Sequence, residues 1–178
     1  MSHKGTVPVF SNRTAFQNCL AATEKCDLFL GLITTYYGSG VDKAHQDELS
    51  ITHREIQKAI ALKKPRWLLA HDQVVFAWSL LKHLGYEGKA ARKKLSLRKS
   101  AIMDDLRVLD IYEEAIIAAV PLVEREGNWV QKFHSNDDAF LFATAQFSRY
   151  QEVEAFIQEH FADRARVSSS LQHRGGGA

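Results

Sequence analysis

The run Leu28-Phe29-Leu30-Gly31-Leu32-Ile33 is the feature that most restricts how this chain can fold. Side chains alternate sides along a strand, so an unbroken apolar run makes both faces of the strand apolar. Such a strand suits a parallel sheet with helices packed on it. A polar loop follows. From Ser50, Ile51, Ile56, Ala59, Ile60 and Leu62 fall on the apolar side of a helix that Lys63, Lys64 and Pro65 bring to an end. Arg66 to Ala70 then reads as a second buried strand, with His71 and Asp72 at its carboxyl end, and Val74, Val75, Ala77, Trp78, Leu80 and Leu81 continue as an apolar helix. This β-α-β-α series predicts an α/β fold with a mostly parallel sheet flanked by helices. Ligands of open α/β sheets bind beyond the carboxyl ends of the strands, so the stretch from Cys26 to His71 also locates a candidate site.

The flanking segments are read more coarsely. Thr6 to Phe10 is a short extended candidate, and Ser11 or Asn12 can cap a helix carrying Phe16, Cys19, Leu20 and Thr23. After Gly85, the residues Lys89, Arg92, Lys93, Lys94, Arg98 and Lys99 crowd a stretch with few large apolar residues, which predicts an exposed loop or arm. A helix is expected between Ile102 and Val120, closed by Pro121, and an edge strand over Asn128 to Phe133. Asn136 can cap a helix rich in Phe140, Leu141, Phe142 and Phe147, which Val153 to Phe161 extends or follows. Residues 1–165 are expected to form a single α/β domain, with 166–178, rich in Ser and Gly, as a disordered tail.

Composition narrows the function classes. With 46% hydrophobic content, 178 residues suit one globular domain. The 23 basic and 21 acidic residues leave a formal charge of +2, which by itself draws the protein to neither nucleic acid nor an anionic membrane. Cys19 and Cys26 lack both zinc-ligand spacing and the density of a disulfide scaffold, so they read as reduced thiols. No apolar run approaches the roughly 20 residues needed to span a bilayer, and the N-terminus lacks a signal-peptide pattern. A soluble, cytoplasmic protein with no membrane partner is expected.

The residues able to do chemistry gather around the loop from Thr35 to Leu49 and the helix start behind it. That loop exceeds the usual two to six residues or so of such a connection, and long loops are often functional. Glu55, one turn into the helix, can act as nucleophile or acid/base toward an N-glycosidic bond, whose oxocarbenium-like centre needs a nearby anion. Thr52 and Glu55 equally spell a capping box that only satisfies backbone donors. His53 can bind a phosphate or move a proton, or be a solvated surface residue. His45, His53 and His71 match no metal-ligand spacing, and no metal is expected. Tyr36 and Tyr37 can stack on a base or ribose; alternatively one packs into the core and the other is exposed. Gly38 and Gly40 allow tight turning and close backbone approach, but Tyr-Gly-Ser-Gly is no dinucleotide or Walker fingerprint. The basic arm offers phosphates a sequence-independent attraction. Its lack of interleaved aromatic residues argues against nucleic-acid binding.

The strings CDLFLGLITTYYGSG, SITHREIQKAIALKKPRWLLAHDQVVFA and MDDLRVLDIYEEAI, with NWVQKF further on, resemble a bacterial family of domains of unknown function (DUF 4062 type), often found alone or ahead of signalling ATPase modules. That family is similar in outline to Toll/interleukin-1-receptor domains and nucleoside 2-deoxyribosyltransferases, which have flavodoxin-like sheets. The resemblance implies a flavodoxin-like fold with Glu55 matching the catalytic glutamate, Ser50 near it and Tyr36 and Tyr37 in the strand-end loop before it; with the residues' own chemistry this gives Ser50 as an orienting hydroxyl and Tyr36, Tyr37, Gly38, His53 and His71 as the expected ligand-binding set. Members usually begin with a strand of the type Val-x-Val-Ser-Ser-Thr and a helix, and nothing before Thr6 supplies them, so the sheet is expected to be incomplete at its first strand. A second copy or a partner chain would then fill the gap. Two functions are expected from this reading. The first is nucleotide or NAD binding with N-glycosidic cleavage, the nucleotide or NAD being the substrate, with no certain cofactor. The second is a non-catalytic signalling or protein-interaction module in which Glu55 is a cap.

Overall fold

The computed structural model describes residues 10–38, 40, 49–98, 102–125, 128–149, 151, 152 and 155. The extended candidate at Thr6 to Phe10 (apart from Phe10), most of the loop from Ser39 to Glu48 with His45, most of Val153 to Phe161, and the tail 166–178 lie outside them. Two compact units divide the chain, Met1–Ser135 and Asn136–Ala178. In the second, residues 136–149 are helical.

In the first unit the order is α1 (Ala15–Lys25), β1 (Phe29–Ile33), α2 (Ile51–Ala61), β2 (Arg66–His71), α3 (Asp72–His83), α4 (Gly88–Arg92), α5 (Arg107–Ala115), a 3-10 turn (Leu122–Glu124) and β3 (Asn128–Phe133). The strands lie side by side as β1-β2-β3, all parallel, with Gly31 opposite Leu68 and Trp67 opposite Trp129. This parallel sheet flanked by helices is an α/β fold of the flavodoxin-like kind, as the apolar run in β1 predicts.

One face of the sheet presents Phe29, Ile33, Leu68, Ala70 and Val130 to a core shared with Ile56, Val74, Val108, Leu109 and Ile111 of the helices. Gly31 suits the close packing there, because a Cβ would stand 2.7 Å from a methyl of Leu68 and one of the side chains would have to shift. On the other face, Leu32 and Trp129 are 49% and 60% exposed, so the cover expected on both sides of β1 is fuller on the core face.

The helix ends explain the Lys-Lys-Pro-Arg sequence. Lys63 takes the left-handed conformation just beyond α2, at φ 52°, while the N–H of Lys63 and Lys64 donate to the carbonyls of Ile60 and Ala59. The Lys64 ammonium donates to the carbonyls of Glu24 and Cys26 at 2.8 Å, closing α1. Buried Arg66 donates to the carbonyls of Lys64 and Ala59, closing α2. At its start, α1 is capped by Thr14 in a capping box with Gln17, two or three residues beyond the predicted Ser11 or Asn12.

Candidate functional site

The carboxyl end of β1 turns through Tyr36, Tyr37 and Gly38 toward the start of α2. Tyr36 is 64% exposed and Tyr37 only 4%, so the two tyrosines divide into one solvent-facing and one core residue. Tyr37 is held from three directions. Its backbone N–H donates to Asp104 Oδ1 at 2.8 Å, its ring lies under the Arg107 guanidinium at 4.3 Å, and its hydroxyl meets His53 Nδ1 at 2.8 Å. Asp105 holds Arg107 in place through its second carboxylate oxygen at 2.6 and 2.9 Å. Burial pushes the Tyr37 phenol above its ordinary pKa, against opposing contacts from Ser50. Gly38 adopts φ 101° with Thr52 Oγ1 3.1 Å from where a Cβ would stand, a turn that only glycine makes without strain.

The start of α2 differs from the predicted capping box. Ser50 is the N-cap, fully buried, and its hydroxyl accepts the backbone N–H of His53. Thr52 and Glu55 therefore play no part as cap and partner. His53 is wholly buried, in contrast to the solvated histidine expected as one alternative. Its Nδ1 meets the Tyr37 hydroxyl and its Nε2 lies 3.2 Å from Glu114 Oε2 on α5. Gln57, one turn beyond His53 on the same side of α2, donates to that same oxygen at 3.0 Å. For Glu114, burial pushes the pKa up, but the bonds from His53 and Gln57 outweigh it and the net shift is downward. The result is a polar chain, Tyr37–His53–Glu114–Gln57, buried at Tyr37 and His53 and half-buried at Glu114 and Gln57, running from the strand-end turn into the space between α2 and α5.

Glu55 is not in this chain. Two residues along a helix are separated by roughly 200°, so Glu55 points away from the side that carries His53 and Gln57. It faces α1, where the Cys19 thiol is near enough to influence its carboxylate and where Lys58, one turn on, pairs with Glu24 at 2.7 Å. Burial raises the Glu55 pKa, and the Cys19 contact opposes that only in part. The Cys19 thiol is likewise pushed up, first by burial and then by Glu55. His71, at the end of β2, caps α3 by accepting the N–H of Gln73 at 3.2 Å, and its ring meets Phe133 edge-on at 5.2 Å. Beside it, Asp72 pairs with His134 at 2.6 Å, which holds the Asp72 carboxyl below its ordinary pKa. The turn and the α2 N-terminus thus bring together Tyr37, Gly38, Ser50 and His53, and leave Glu55 on another face.

The basic segment is also different from the expected exposed arm. Residues Gly88–Arg92 form α4, and Arg92 is buried, donating to Asp110 Oδ1 at 2.6 and 2.9 Å and also bonding Glu113. Burial alone would lower the Arg92 pKa, but the two carboxylates reverse the sign. Lys93, Lys94 and Arg98 remain exposed. Sequence reasoning missed Glu114, Gln57, Asp104, Arg107 and Arg92. Only Gln57 carried a local signal, its i+4 spacing from His53.

On the far side of Glu114 lies an open groove of about 550 Å³ between the C-terminal turn of α2 and the end of α5, reached also by Gln57. Among the described residues, no group of three or more His, Cys, Asp or Glu side chains is arranged to hold a metal ion, and no helix is long and apolar enough to cross a membrane.

No curated protein and no solved structure shows significant similarity to the chain. A family model described as Domain of unknown function (DUF4062) matches residues 5–139, most of the first unit and three quarters or so of the sequence. The turn, the polar chain and the groove all fall within that match, and the chain belongs to this family of domains of unknown function.

Proposed function

We propose that this chain is a non-catalytic signalling or protein-interaction module of the Toll/interleukin-1-receptor-like type. The observation that carries this reading is the direction of Glu55, which lies on the side of α2 opposite His53 and Gln57, toward Cys19 on α1 and away from the strand-end turn. Cleavage of an N-glycosidic bond needs a carboxylate facing the anomeric carbon within the ligand's own space. The other candidate groups are engaged in the protein's own packing: Ser50 as a cap, His53 between two partners, Tyr37 in the core. Buried polar groups bonded within the protein in this way serve to hold a surface in shape.

A second reading, nucleotide or NAD binding with N-glycosidic cleavage, draws on one observation. Burial raises the Glu55 pKa toward the range useful for acid/base work. One experiment separates the two. The folded parent and Glu55→Gln are incubated with NAD and a panel of nucleosides and nucleotides, and release of free base is followed by chromatography. The module reading expects no release above the protein-free blank. Release by the parent that is lost in Glu55→Gln overturns it in favour of the enzyme.

A further inference from the structure

The groove beyond Glu114 has a chemistry that the strand-end turn lacks. Helix α2 leaves the carboxyl end of β1 and returns to begin β2, so its last turn lies toward the amino edge of the sheet, away from Tyr36 and Gly38. There Ile60, Ile117 and Ala118 make an apolar floor, and Glu87, Glu113 and Glu114 stand around it with no lysine or arginine among the described lining residues. The cations nearby neutralise this only in part. Glu87 pairs with Lys82 at 2.7 Å and the exposed Lys89 is near enough to act on Glu114, but the buried Arg92 is shared between Glu113 and Asp110, one guanidinium for two carboxylates. Glu114 is bonded by His53 and Gln57 through a single oxygen, Oε2. The groove is thus apolar at its floor and carries excess negative charge at its rim.

We propose that this groove docks a basic amphipathic segment of a partner protein, with apolar side chains on Ile60, Ile117 and Ala118 and lysines or arginines toward Glu87, Glu113 and Glu114. The inference rests on the interaction-module reading and gives it a partner chemistry. Charge complementarity selects the occupant. An acidic segment would set like charges against the three glutamates, whereas a neutral apolar one would leave the part of their charge that Lys82 and the shared Arg92 do not balance unmatched. A helix laying one apolar face into a groove between two helices places its flanking cations on the rim, as the spread of the glutamates around the floor requires. The carboxylates steer the encounter and set its specificity, and the apolar floor supplies most of the held contact.

The test uses the full chain and a fluorescently labelled synthetic peptide with Leu and Lys at amphipathic helical spacing, read by anisotropy beside its Leu/Glu counterpart. Two variants probe the site at exposed positions whose substitution leaves the core intact: Ala118→Trp fills the groove and Glu87→Lys reverses one rim charge. The parent is expected to bind the Leu/Lys peptide saturably, about tenfold more weakly in either variant, and the Leu/Glu peptide not at all. Equal affinity in the parent and both variants, no binding, or equal binding of the Leu/Glu peptide overturns the proposal. Thermal melts of both variants establish that they are folded. The base-release assay stands apart: release dependent on Glu55 overturns the module reading whatever the peptide does. A chain that neither releases base nor binds the Leu/Lys peptide overturns the groove alone.

Discussion

His53 Nε2 stands 3.2 Å from Glu114 Oε2, joining α2 to α5 across 61 positions of sequence, while the other ring nitrogen meets the Tyr37 hydroxyl at 2.8 Å. An imidazole with no exposed surface has both nitrogens satisfied in this way, and each partner belongs to a different element. The strand-end turn, the α2 N-terminus and the wall of the groove are therefore mechanically connected through one side chain.

Removing the hydroxyl in Tyr37→Phe leaves a buried ring nitrogen without its partner, which should cost about 1–3 kcal/mol of stability. His53→Ala adds a cavity and should cost more, about 2–5 kcal/mol. Urea midpoints for the two variants check this, and an unchanged midpoint for Tyr37→Phe would show that the hydroxyl contributes nothing to the fold.

The two half-buried glutamates should leave opposite marks on stability against pH. Glu55 has a folded pKa above its ordinary 4.5, so the folded state holds its proton longer and stability falls as pH rises from about 4.5 through the folded value. Glu114 has a folded pKa below 4.5, so its contribution is present above that value and is lost as pH falls through the lower one. Glu55→Gln should therefore raise the melting temperature at pH 7 and lose the advantage at low pH, whereas Glu114→Gln should flatten the acid side of the profile. Melting curves from pH 3 to pH 8 or so decide the signs.

Arg92 should behave as a core residue. Arg92→Met strands the Asp110 and Glu113 carboxylates and is expected to destabilise by about 3–5 kcal/mol. Lys93→Ala and Lys94→Ala, on exposed side chains of the same basic run, should each stay within about 0.5 kcal/mol. Comparable losses at all three positions would mean that the buried ion pair has no special weight.

Lys63 is exposed and holds a left-handed backbone that costs a residue with a side chain about 1 kcal/mol and glycine almost nothing. Lys63→Gly should thus stabilise the protein by about that amount, seen as a higher thermal midpoint. A lower midpoint would show that the lysine side chain contributes more than its strained backbone costs.

How far the site was legible depends on how local each of its causes is. The β-α-β-α order, the end of α2 at Lys63-Lys64-Pro65 and the crowding of polar residues at the turn after β1 follow from apolar period, glycine and proline, which act within a few residues. The helix expected across Ile102 to Val120 is real but shorter, Arg107–Ala115. Asp105 takes the backbone N–H of Arg107 at its start, and Ile117 turns left-handed at its end, φ 49°, neither of which the apolar spacing reveals.

Tyr37, Gly38, Ser50 and His53 were all legible as members of one turn because the chain itself brings them there. The roles of His53, Glu55 and Arg92 were not, because each depends on which helix lies opposite. Spacing gives the angle of a side chain about its own helix axis but not what waits at that angle. The amino-acid sequence by itself determined the order of the main strands and helices and the parallel sheet, since local propensity and apolar period dictate them, but not the short helix α4. Only the tertiary structure decided that His53 would be buried against Glu114, that Glu55 would meet Cys19, and that Arg92 would leave the surface. Those outcomes belong to the packing of α1 and α5 on α2 and of α4 on α5, fixed by burial across the whole core rather than by any one stretch of chain.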